Sequence, residues 1–275
     1  MNELDRALDA MRDAIASHRD APERLIEPLD RFHDSGYLQR RIARMLDRGV
    51  DSTRESVRDI GENNIRLDSR PEYSLHLEIW RAPKPLLHST AVDSVLRVIS
   101  PTPVLQRVYR IDGPFDPEVF VADVPLRLES ERRIDGIAHA QRKGEGRVYD
   151  YVSESPFLTL ELSLRPADPY LWFFDRERLR STYASFSGAQ LSGYTLSAKA
   201  LAAVGEARAL PLLMRMTEHP SHAVRWAAIQ ALGRIDGDAA FERLERAEHD
   251  PHPHIRNAAA RTLARLRTET EDAHD

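Results

Sequence analysis

The spacing of apolar residues divides the chain into three parts. From position 2 to about 61 the apolar residues recur every three to four positions, as at Leu4, Leu8 and Met11, which predicts amphipathic helices. From about 63 to 175, apolar and polar residues alternate between proline and glycine turns, and this pattern predicts short β strands. Beyond that part the helical spacing returns. Helices on both sides of a β region indicate the α+β class.

The middle part contains a series of short alternating segments that are typical of strands. The predicted strands are Ser74–Trp80, Ser94–Ser100, Val104–Ile111, Glu118–Val124, Arg133–Gln141, Arg147–Val152, Phe157–Leu164 and Tyr170–Phe174. Short strands at this spacing favour a sandwich or a small jelly-roll barrel. In the first strand the alternation places Leu75 and Leu77 on one face and His76 and Glu78 on the other. The pattern alone leaves open which face is interior.

The last part of the chain repeats itself with a shift of 31 residues. Pro220–Leu232 aligns with Pro251–Leu263. Each copy has a proline and, four positions later, Val or Ile followed by Arg, any residue and two alanines. A repeat of this length predicts stacked helix pairs. The motif resembles HEAT repeats, particularly the short bacterial kind, over about 191–267. We expect its matching arginines, Arg225 and Arg256, to make the hydrogen bonds between repeats.

These changes of pattern give the expected domain boundaries. Terminal residues without an apolar face usually fray, so the last few positions are assigned to a tail. The expected segments are a helical N-terminal segment over 1–62, a small β barrel over 63–175, a helical or irregular connector over 176–192, HEAT-like helical repeats over 193–267 and a disordered tail over 268–275.

Composition narrows the chemistry and the expected location. The chain has no cysteine, which excludes disulfides, zinc–thiolate sites and cysteine nucleophiles, so any metal needs histidine and carboxylate ligands. The N-terminus lacks the apolar core of a signal peptide and no apolar run approaches the length of a membrane span, so we expect a cytoplasmic protein without a membrane partner. A net charge of −5 opposes nucleic-acid binding.

A histidine on the connection after the first strand is the leading candidate for a functional residue. The strand ends in Trp80, a proline-bearing loop leads to His88, and a second histidine follows in the segment Gly136–His139. This order, together with the closing segment Phe157–Pro166, resembles the cupin superfamily and within it the cysteine-dioxygenase-like thiol dioxygenases. The resemblance spans about 63–175 and implies a cupin-like barrel that holds one iron ion on three histidines.

The chain departs from that family at three positions. Thr90 stands where the family has its second histidine, and Glu161 and Ser163 stand where it has a histidine and a tyrosine that orient the substrate. A hydroxyl is a poor iron ligand compared with an imidazole. Plain thiol-dioxygenase activity is therefore not expected.

A carboxylate can replace the missing histidine in a cupin metal site. Asp93 follows His88 by five residues, and the resemblance implies that His88, Asp93 and His139 form a set of two histidines and one carboxylate. Such a set suits Fe(II) and leaves positions open for substrate and oxygen. The alternative is a barrel without metal, in which both histidines are satisfied by hydrogen bonds and Asp93 caps a turn.

Four further residues are candidates for substrate binding. Arg66 precedes the first strand, where related dioxygenases place an arginine that holds a substrate carboxylate, and a guanidinium suits that role. Asn63 and Arg70 compete for the same place in the pattern, and the alternative role for Arg66 is a surface salt bridge. Glu78, Tyr109 and Glu161 either line the barrel cavity or lie outside it. The sequence assigns no catalytic residue.

Histidines are also concentrated in the turns of the repeats. Glu218–His222 and Glu248–His254 contain them, and some HEAT-like hydroxylases bind a di-iron centre through His-Glu pairs at helix starts. The order here is Glu-His, and there are two copies where four are expected. Asp and Pro are common in turns because they favour turn conformations, whether or not a metal is bound. The sequence therefore favours a turn role over metal binding at this place.

Two functional hypotheses follow. The first is a non-haem, Fe(II)-dependent, dioxygenase-like oxidoreductase that acts on a small molecule or peptide and recognises a substrate or protein partner through its repeats. The second is a non-enzymatic scaffold with a metal-free barrel, because helical repeat arrays commonly present binding surfaces. Metal content separates the two.

Overall fold

The structure is a computed structural model that describes residues 3–51, 63–81, 83–134, 136–165 and 167–272. The chain forms two compact units, Met1–Ser185 and Phe186–Asp275. Helices precede an antiparallel β region in the first unit, and the second unit is helical. The predicted α+β class with terminal helices is confirmed.

The first unit begins with helices whose apolar faces are buried. Leu25 and Leu29 are completely buried, which explains the amphipathic spacing of this segment. Positions 52–62 of the predicted helical segment lie outside the described residues. The helices are α1 (Glu3–His18), α2 (Ile26–Asp34) and α3 (Tyr37–Asp51), with a 3₁₀ turn over Pro22–Leu25 between α1 and α2.

Eleven strands follow within the described residues. They are β1 (Asn64–Arg70), β2 (Tyr73–Trp80), β3 (Leu86–His88), β4 (Ser94–Val98), β5 (Val104–Ile111), β6 (Leu126–Ile134), β7 (His139–Gln141), β8 (Arg147–Val152), β9 (Phe157–Leu164), β10 (Tyr170–Asp175) and β11 (Arg180–Phe186). They form a five-stranded sheet in the order β1-β2-β9-β4-β7 and two three-stranded sheets, β11-β10-β3 and β6-β5-β8. All pairings are antiparallel among the described strands.

Several strand predictions need correction. Glu118–Val124 is not a strand, because the side chain of Asp116 accepts the backbone N–H of Glu118 and begins a turn, and Asp123 has a φ of +63°. Arg133–Gln141 is divided between the end of β6 and the short β7. The predicted connector contains β11, and positions 268–272 of the predicted tail belong to a helix. The last three residues lie outside the described part.

The five-stranded sheet lies between two layers. Its outer face packs against the N-terminal helices in one apolar cluster, which includes Met11, Ile15, Leu25, Leu29, Leu75, Leu77, Val95, Leu160 and Leu162. Its inner face packs against the β6-β5-β8 sheet through Leu96, Val98 and Phe157 from one side and Val104, Ile134 and Tyr151 from the other. The leucine face of β2 is therefore the outer face. His76 and Glu78 lie on the inner one.

Charged pairs fix the helices on the outer face. Arginines and carboxylates of the two layers meet at 2.6 to 2.9 Å in three pairs: Arg12 with Asp68, Arg97 with Asp30 and Arg142 with Glu23. The guanidiniums of Arg12 and Arg142 each donate two hydrogen bonds to the partner carboxylate, a geometry that adds specificity. These pairs hold α1 and α2 in register with the strands.

The two smaller sheets share a further apolar cluster. Isolated bridges Ser89–Val148 and Pro125–Arg180 connect them at two places. The cluster is centred on Trp172 and Phe174 of β10, which are fully buried. The β region is thus a barrel-like arrangement with two separate apolar interiors.

The second unit consists of helices related by the 31-residue shift. They are α4 (Ala189–Val204), α5 (Leu210–Met216), α6 (His222–Ile235), α7 (Gly237–Ala247) and α8 (Pro253–Asp272). The shift carries α4 onto α6, α6 onto α8 and α5 onto α7. Within the described ranges, none of the helices combines the length and apolar character that a membrane crossing requires.

The matching arginines make equivalent hydrogen bonds in the two repeats. Arg225 Nη1 donates to the carbonyls of His219 and Pro220 at 2.9 and 2.8 Å, and Arg256 Nη1 donates to those of Asp250 and Pro251 at 2.7 and 2.8 Å. Each arginine therefore closes the turn before its own helix. Arg225 also pairs with the carboxylate of Asp250 in the next repeat. The expected bond between repeats is confirmed for Arg225.

Candidate functional site

Three potential metal ligands meet on the inner face of the five-stranded sheet. His76 and Glu78 come from β2, and Glu161 comes from β9, directly opposite His76 in the strand register. His76 Nε2 lies 3.7 Å from Glu161 Oε2. One ligand atom from each of the three residues lies within 4.8 Å of the others. Residues on one face of paired strands stand about 5 Å apart, so the sheet itself creates the cluster.

Burial governs the electrostatics of this cluster. Burial raises the pKa of Glu161 above its ordinary value, and the neighbouring carboxylate of Glu78 acts in the same direction. His76 and the hydroxyl of Ser163 oppose that shift, and Ser163 Oγ donates to Glu161 Oε1 at 3.1 Å. The Lys84 ammonium lies 3.5 Å from Glu78 Oε1. The cluster therefore holds two carboxylates close together with two cationic or ionisable partners.

Arg66 borders the cluster on the edge strand β1. It pairs with His76 in the β1–β2 register, so its side chain starts from the same face as His76. A β-bulge follows between Arg66 and Asp68 and changes the strand's register. Arg66 itself is exposed, which leaves its guanidinium accessible to a solute.

The structure does not bring His88, Asp93 and His139 together. Within the described residues, two groups have ligand atoms within 4.8 Å of one another, and neither contains any of the three. His88 ends β3 as an exposed residue, because its neighbour Leu87 occupies the buried face of that strand. The carboxylate of Asp93 accepts the backbone N–H of Lys143 at 2.9 Å, which is the turn role of the metal-free alternative.

The four predicted substrate-binding residues separate into two groups. Glu78 and Glu161 belong to the cluster on the inner face, and Arg66 borders it. Tyr109 is buried in the other interior, where it packs with Trp172. Alternation along β5 accounts for this difference, because Val104 faces the interior beside the cluster and Tyr109, an odd number of positions later, faces the opposite side. Tyr109 therefore lies in a different apolar interior from the cluster.

His139 belongs to a separate polar network between the two layers. Its Nε2 lies 2.7 Å from Gln106 Nε2 and 3.1 Å from the Tyr151 hydroxyl. The Gln106 amide nitrogen can only donate, so His139 Nε2 is the acceptor and the proton of the neutral ring belongs to Nδ1. Nδ1 is buried, and a backbone contact with Ile137 acts to raise the pKa of the ring. Burial lowers the pKa of His139 to about 4, and the Arg132 charge acts in the same direction.

We expect His139 to make the first unit sensitive to acid. Its folded pKa of about 4 lies below the ordinary value of about 6.5, so the unfolded chain binds more protons between these values. Stability is then complete above about pH 6.5 and falls by roughly 3 kcal/mol as the pH drops to about 4. Urea unfolding at several pH values, followed by hydrogen exchange in β5 and β8, measures this. The His139→Gln variant should lose that part of the slope, and parallel profiles for both proteins would contradict the assignment.

A second cluster lies in the turns of the helical repeats. His222 at the start of α6 stacks on His252 with ring centroids 3.6 Å apart, and the His254 ring lies 5.0 Å from that of His252. Ligand atoms of the three also lie within 4.8 Å of one another. The sequence placed these histidines in turns but did not indicate that they meet. The signal was available in the 31-residue shift, which brings the turn before α6 beside the turn before α8.

The first cluster also had a signal in the sequence. β2 reads Leu75, His76, Leu77, Glu78, and β9 alternates leucine with Thr159, Glu161 and Ser163 in the same way. Two strands that each carry polar residues on one face and leucines on the other indicate a shared polar face when they pair. The pairing of β2 with β9 across about 80 positions is what the sequence lacked.

Comparison with known proteins supports the repeat class directly. Residues 195–264, roughly a quarter of the chain, match the family model for HEAT repeats. This match confirms the class predicted from the 31-residue shift. Comparison with curated protein sequences finds no match.

Solved structures similar to the chain include cupin-superfamily proteins. A hydroquinone 1,2-dioxygenase from a Sphingomonas species is 14% identical over 39% of this chain and 68% of its own, with a TM-score of 0.31. A cupin-superfamily sugar phosphate isomerase from Silicibacter pomeroyi is 14% identical over 45% and 75%, with a TM-score of 0.27. A cupin-2 domain protein from Shewanella frigidimarina is 11% identical over 43% and 90%, with a TM-score of 0.26. Each of these likenesses is structural and partial, and each covers less than half of this chain.

Proposed function

We propose that the chain is a non-haem, iron-dependent, oxygenase-like protein that holds Fe(II) between the two sheets through His76, Glu78 and Glu161. It acts there on a small molecule or a peptide. The observation that carries this proposal is the convergence of the three ligand atoms within 4.8 Å. A bound cation would offset the repulsion between Glu78 and Glu161 more fully than His76 and Lys84 do.

The donor set fits a divalent first-row metal. One imidazole and two carboxylates suit Fe(II) and Mn(II). Donors bound to one ion at about 2.1 Å stand up to about 4.2 Å apart, so small side-chain rotations bring a 4.8 Å cluster to that distance. All three donors belong to one sheet, which leaves the opposite side of an ion for other ligands. When bound, Fe(II) supplies redox chemistry toward oxygen.

The chain's own residues prepare this site. The raised pKa of Glu161 means that its carboxyl holds a proton to a higher pH than an exposed glutamate does, and a cation favours release of that proton. Ser163 fixes the orientation of the carboxyl through its hydrogen bond to Oε1. Such supporting contacts orient metal ligands and tune their basicity. The exposed side chain of Lys84 orients the carboxylate of Glu78 through their ion pair.

Arg66 is the proposed anchor for an anionic group of the substrate. It starts beside His76 on the same face of the sheet, and it is exposed. The planar guanidinium can hold a carboxylate through two parallel hydrogen bonds. This position favours substrates that carry a carboxylate near the group that reacts.

The metal content of purified protein tests the proposal. The full chain, made without a histidine tag in iron-supplemented cells and purified without oxygen, should contain about one iron ion per molecule. His76→Ala and Glu161→Gln should each lose that metal, because each removes one of three donors. Elemental analysis measures the content. His33→Gln is the matched control, since His33 lies on α2 beside Asp34 and outside the cluster.

Two results would refute the iron proposal. One is a protein that contains no stoichiometric metal and takes up neither Fe(II) nor Mn(II) after reconstitution. The other is full retention of iron in the Glu161→Gln variant. The far-UV circular dichroism of each variant shows whether it is folded, so loss of metal through unfolding is recognised.

A scaffold function has a specific observation in its favour. The repeats contain a cavity of about 820 Å³ that Trp226, Phe241 and Leu266 line together with Arg234 and other residues. Apolar grooves of this kind in repeat arrays serve as partner sites. If the barrel binds no metal, a protein partner lost on Phe241→Glu would support the scaffold function instead.

A further inference from the structure

We infer that His222, His252 and His254 form a second metal site, of the Zn²⁺ class, that joins the turns of two successive repeats. His222 begins α6, whereas His252 and His254 lie at the start of α8, one repeat further along the chain. A metal bound by all three would connect turns that are 30 residues apart in sequence. The inference does not depend on the barrel site.

The geometry of the three rings supports binding of one ion. One ligand atom from each ring lies within 4.8 Å of the others, close to the separation of about 3.4 to 4.2 Å for nitrogens on one ion. The stacked pair His222 and His252 is nearly parallel, at 10°, while the His254 ring is inclined by 71° to that of His252. Because the lone pair of an imidazole lies in the plane of its ring, one of the two stacked rings must rotate out of the stack before both can bind the same ion.

The charge state of the cluster is also suitable. Burial lowers the pKa of His222 to about 4, and the neighbouring His252, His254 and Arg225 act in the same direction. Asp250 pairs with Arg225 at 2.6 Å beside the cluster and offsets its positive charge.

A hydrogen bond of His252 competes with the metal. His252 Nδ1 accepts the backbone N–H of His254 at 3.2 Å, near the long end of the usual range. Whichever nitrogen of His252 binds the ion, this bond is lost, because a neutral ring that binds through Nε2 carries its proton on Nδ1. Binding of the ion therefore removes this long hydrogen bond. The N-terminus of α8 keeps Pro253, which needs no acceptor for a backbone proton.

The donor type separates this site from the one in the barrel. Three neutral imidazoles favour Zn²⁺, Co²⁺, Ni²⁺ and Cu²⁺, whereas the carboxylate-rich barrel cluster favours harder ions such as Fe(II) and Mn(II). The consequence proposed for the protein is mechanical. A bound ion would restrain the two turns relative to each other and so stiffen a short array.

Zn²⁺ and Co²⁺ titration of the full chain tests the inference. The protein is made without a histidine tag, treated with a chelator, and carries His76→Ala so that the barrel cluster is disabled. We expect about one Zn²⁺ per chain, and His222→Ala or His254→Ala should weaken binding at least about tenfold. The control is His249→Ala, which removes an exposed histidine of the same turn outside the cluster.

Hydrogen exchange provides a second, independent readout. Zn²⁺ should slow exchange in residues 219–224 and 250–256 of the His76→Ala protein and leave those segments unchanged in His222→Ala. The inference is overturned if the His76→Ala protein binds no Zn²⁺, or if the two cluster variants bind it as tightly as the His249→Ala control. Circular dichroism of the helical repeats verifies that each variant is folded.

Discussion

Trp172→Ala is expected to destabilise the first unit by about 4 kcal/mol. Trp172 is completely buried, and its ring packs edge-on against Phe115 and Phe120 at centroid distances of 5.2 and 5.0 Å. Its indole nitrogen donates to the carbonyl of Pro117 at 3.2 Å. Removing the ring leaves a large cavity and releases the loop over 113–124, which contains no described helix or strand.

Urea unfolding combined with hydrogen exchange in β10 and the 113–124 loop measures this effect. Trp172→Phe keeps most of the ring and loses the indole hydrogen bond, so we expect a cost of about 1 to 2 kcal/mol. Tyr183→Ala is the exposed control, because this ring stacks on Phe173 but is 44% exposed, and its loss should cost less than about 1 kcal/mol. Equal losses for Trp172→Ala and Tyr183→Ala would contradict the role given to Trp172.

The second large effect is expected from Arg225→Ala in the repeats. Arg225 and Asp250 form a two-bond ion pair at 2.8 and 2.6 Å, with side chains 12% and 9% exposed. Although burial opposes it, Arg225 holds the pKa of Asp250 below its ordinary value. Removing the guanidinium leaves a buried carboxylate whose remaining partner is the backbone N–H of His252, so we expect a loss of about 3 kcal/mol.

Arg256→Ala is the matched control for Arg225→Ala. Arg256 occupies the equivalent position and makes the same two bonds to turn carbonyls, but no bond to a carboxylate is found for it among the described residues. Its loss should cost about 1 kcal/mol. Thermal and urea unfolding of the full chain, monitored by circular dichroism of its helices, measures the loss of stability in both variants. Similar losses in both would show that the carboxylate contributes nothing.

Elements with a strong apolar period could be predicted from the sequence. The helices of both ends and the strands β2, β5, β8 and β9 have this property, because one face of each is buried. The repeat was predictable for a further reason. Its two copies lie in one chain, so their alignment required no knowledge of the structure.

The exposed strands could not be predicted in the same way. Seven of the nine residues of β6 are exposed, and its stability comes from pairing with β5 and from ion pairs such as Arg107 with Glu131. Charged edge strands protect a sheet from pairing with another chain. Their sequences therefore resemble loops. Glu118–Val124 shows the opposite case, a loop whose aromatic residue, Phe120, is half-buried against Trp172.

The sequence named two members of the candidate cluster but selected other residues as metal ligands. The sequence directed attention to the first strands and named Glu78 and Glu161, but a family pattern of histidines selected His88 and His139 as ligands. Burial of a histidine depends on strand pairing, and β3 turns Leu87 inward and His88 outward. The alternation in β2 and β9 indicated the cluster more directly than the family pattern did, because polar residues on a common inner face must find partners.

Because Arg225 and Arg256 make equivalent hydrogen bonds, the repeats can change in length by whole 31-residue units. Each arginine binds carbonyls five and six positions before it, and this pattern recurs after 31 residues. Gain or loss of a whole 31-residue unit preserves every such turn and the stacking of one turn on the next. An insertion or deletion of one or two residues within a turn disrupts the hydrogen bonds of that turn and its stacking on the next turn. The array can therefore evolve or be engineered by whole modules, while its individual turns tolerate little.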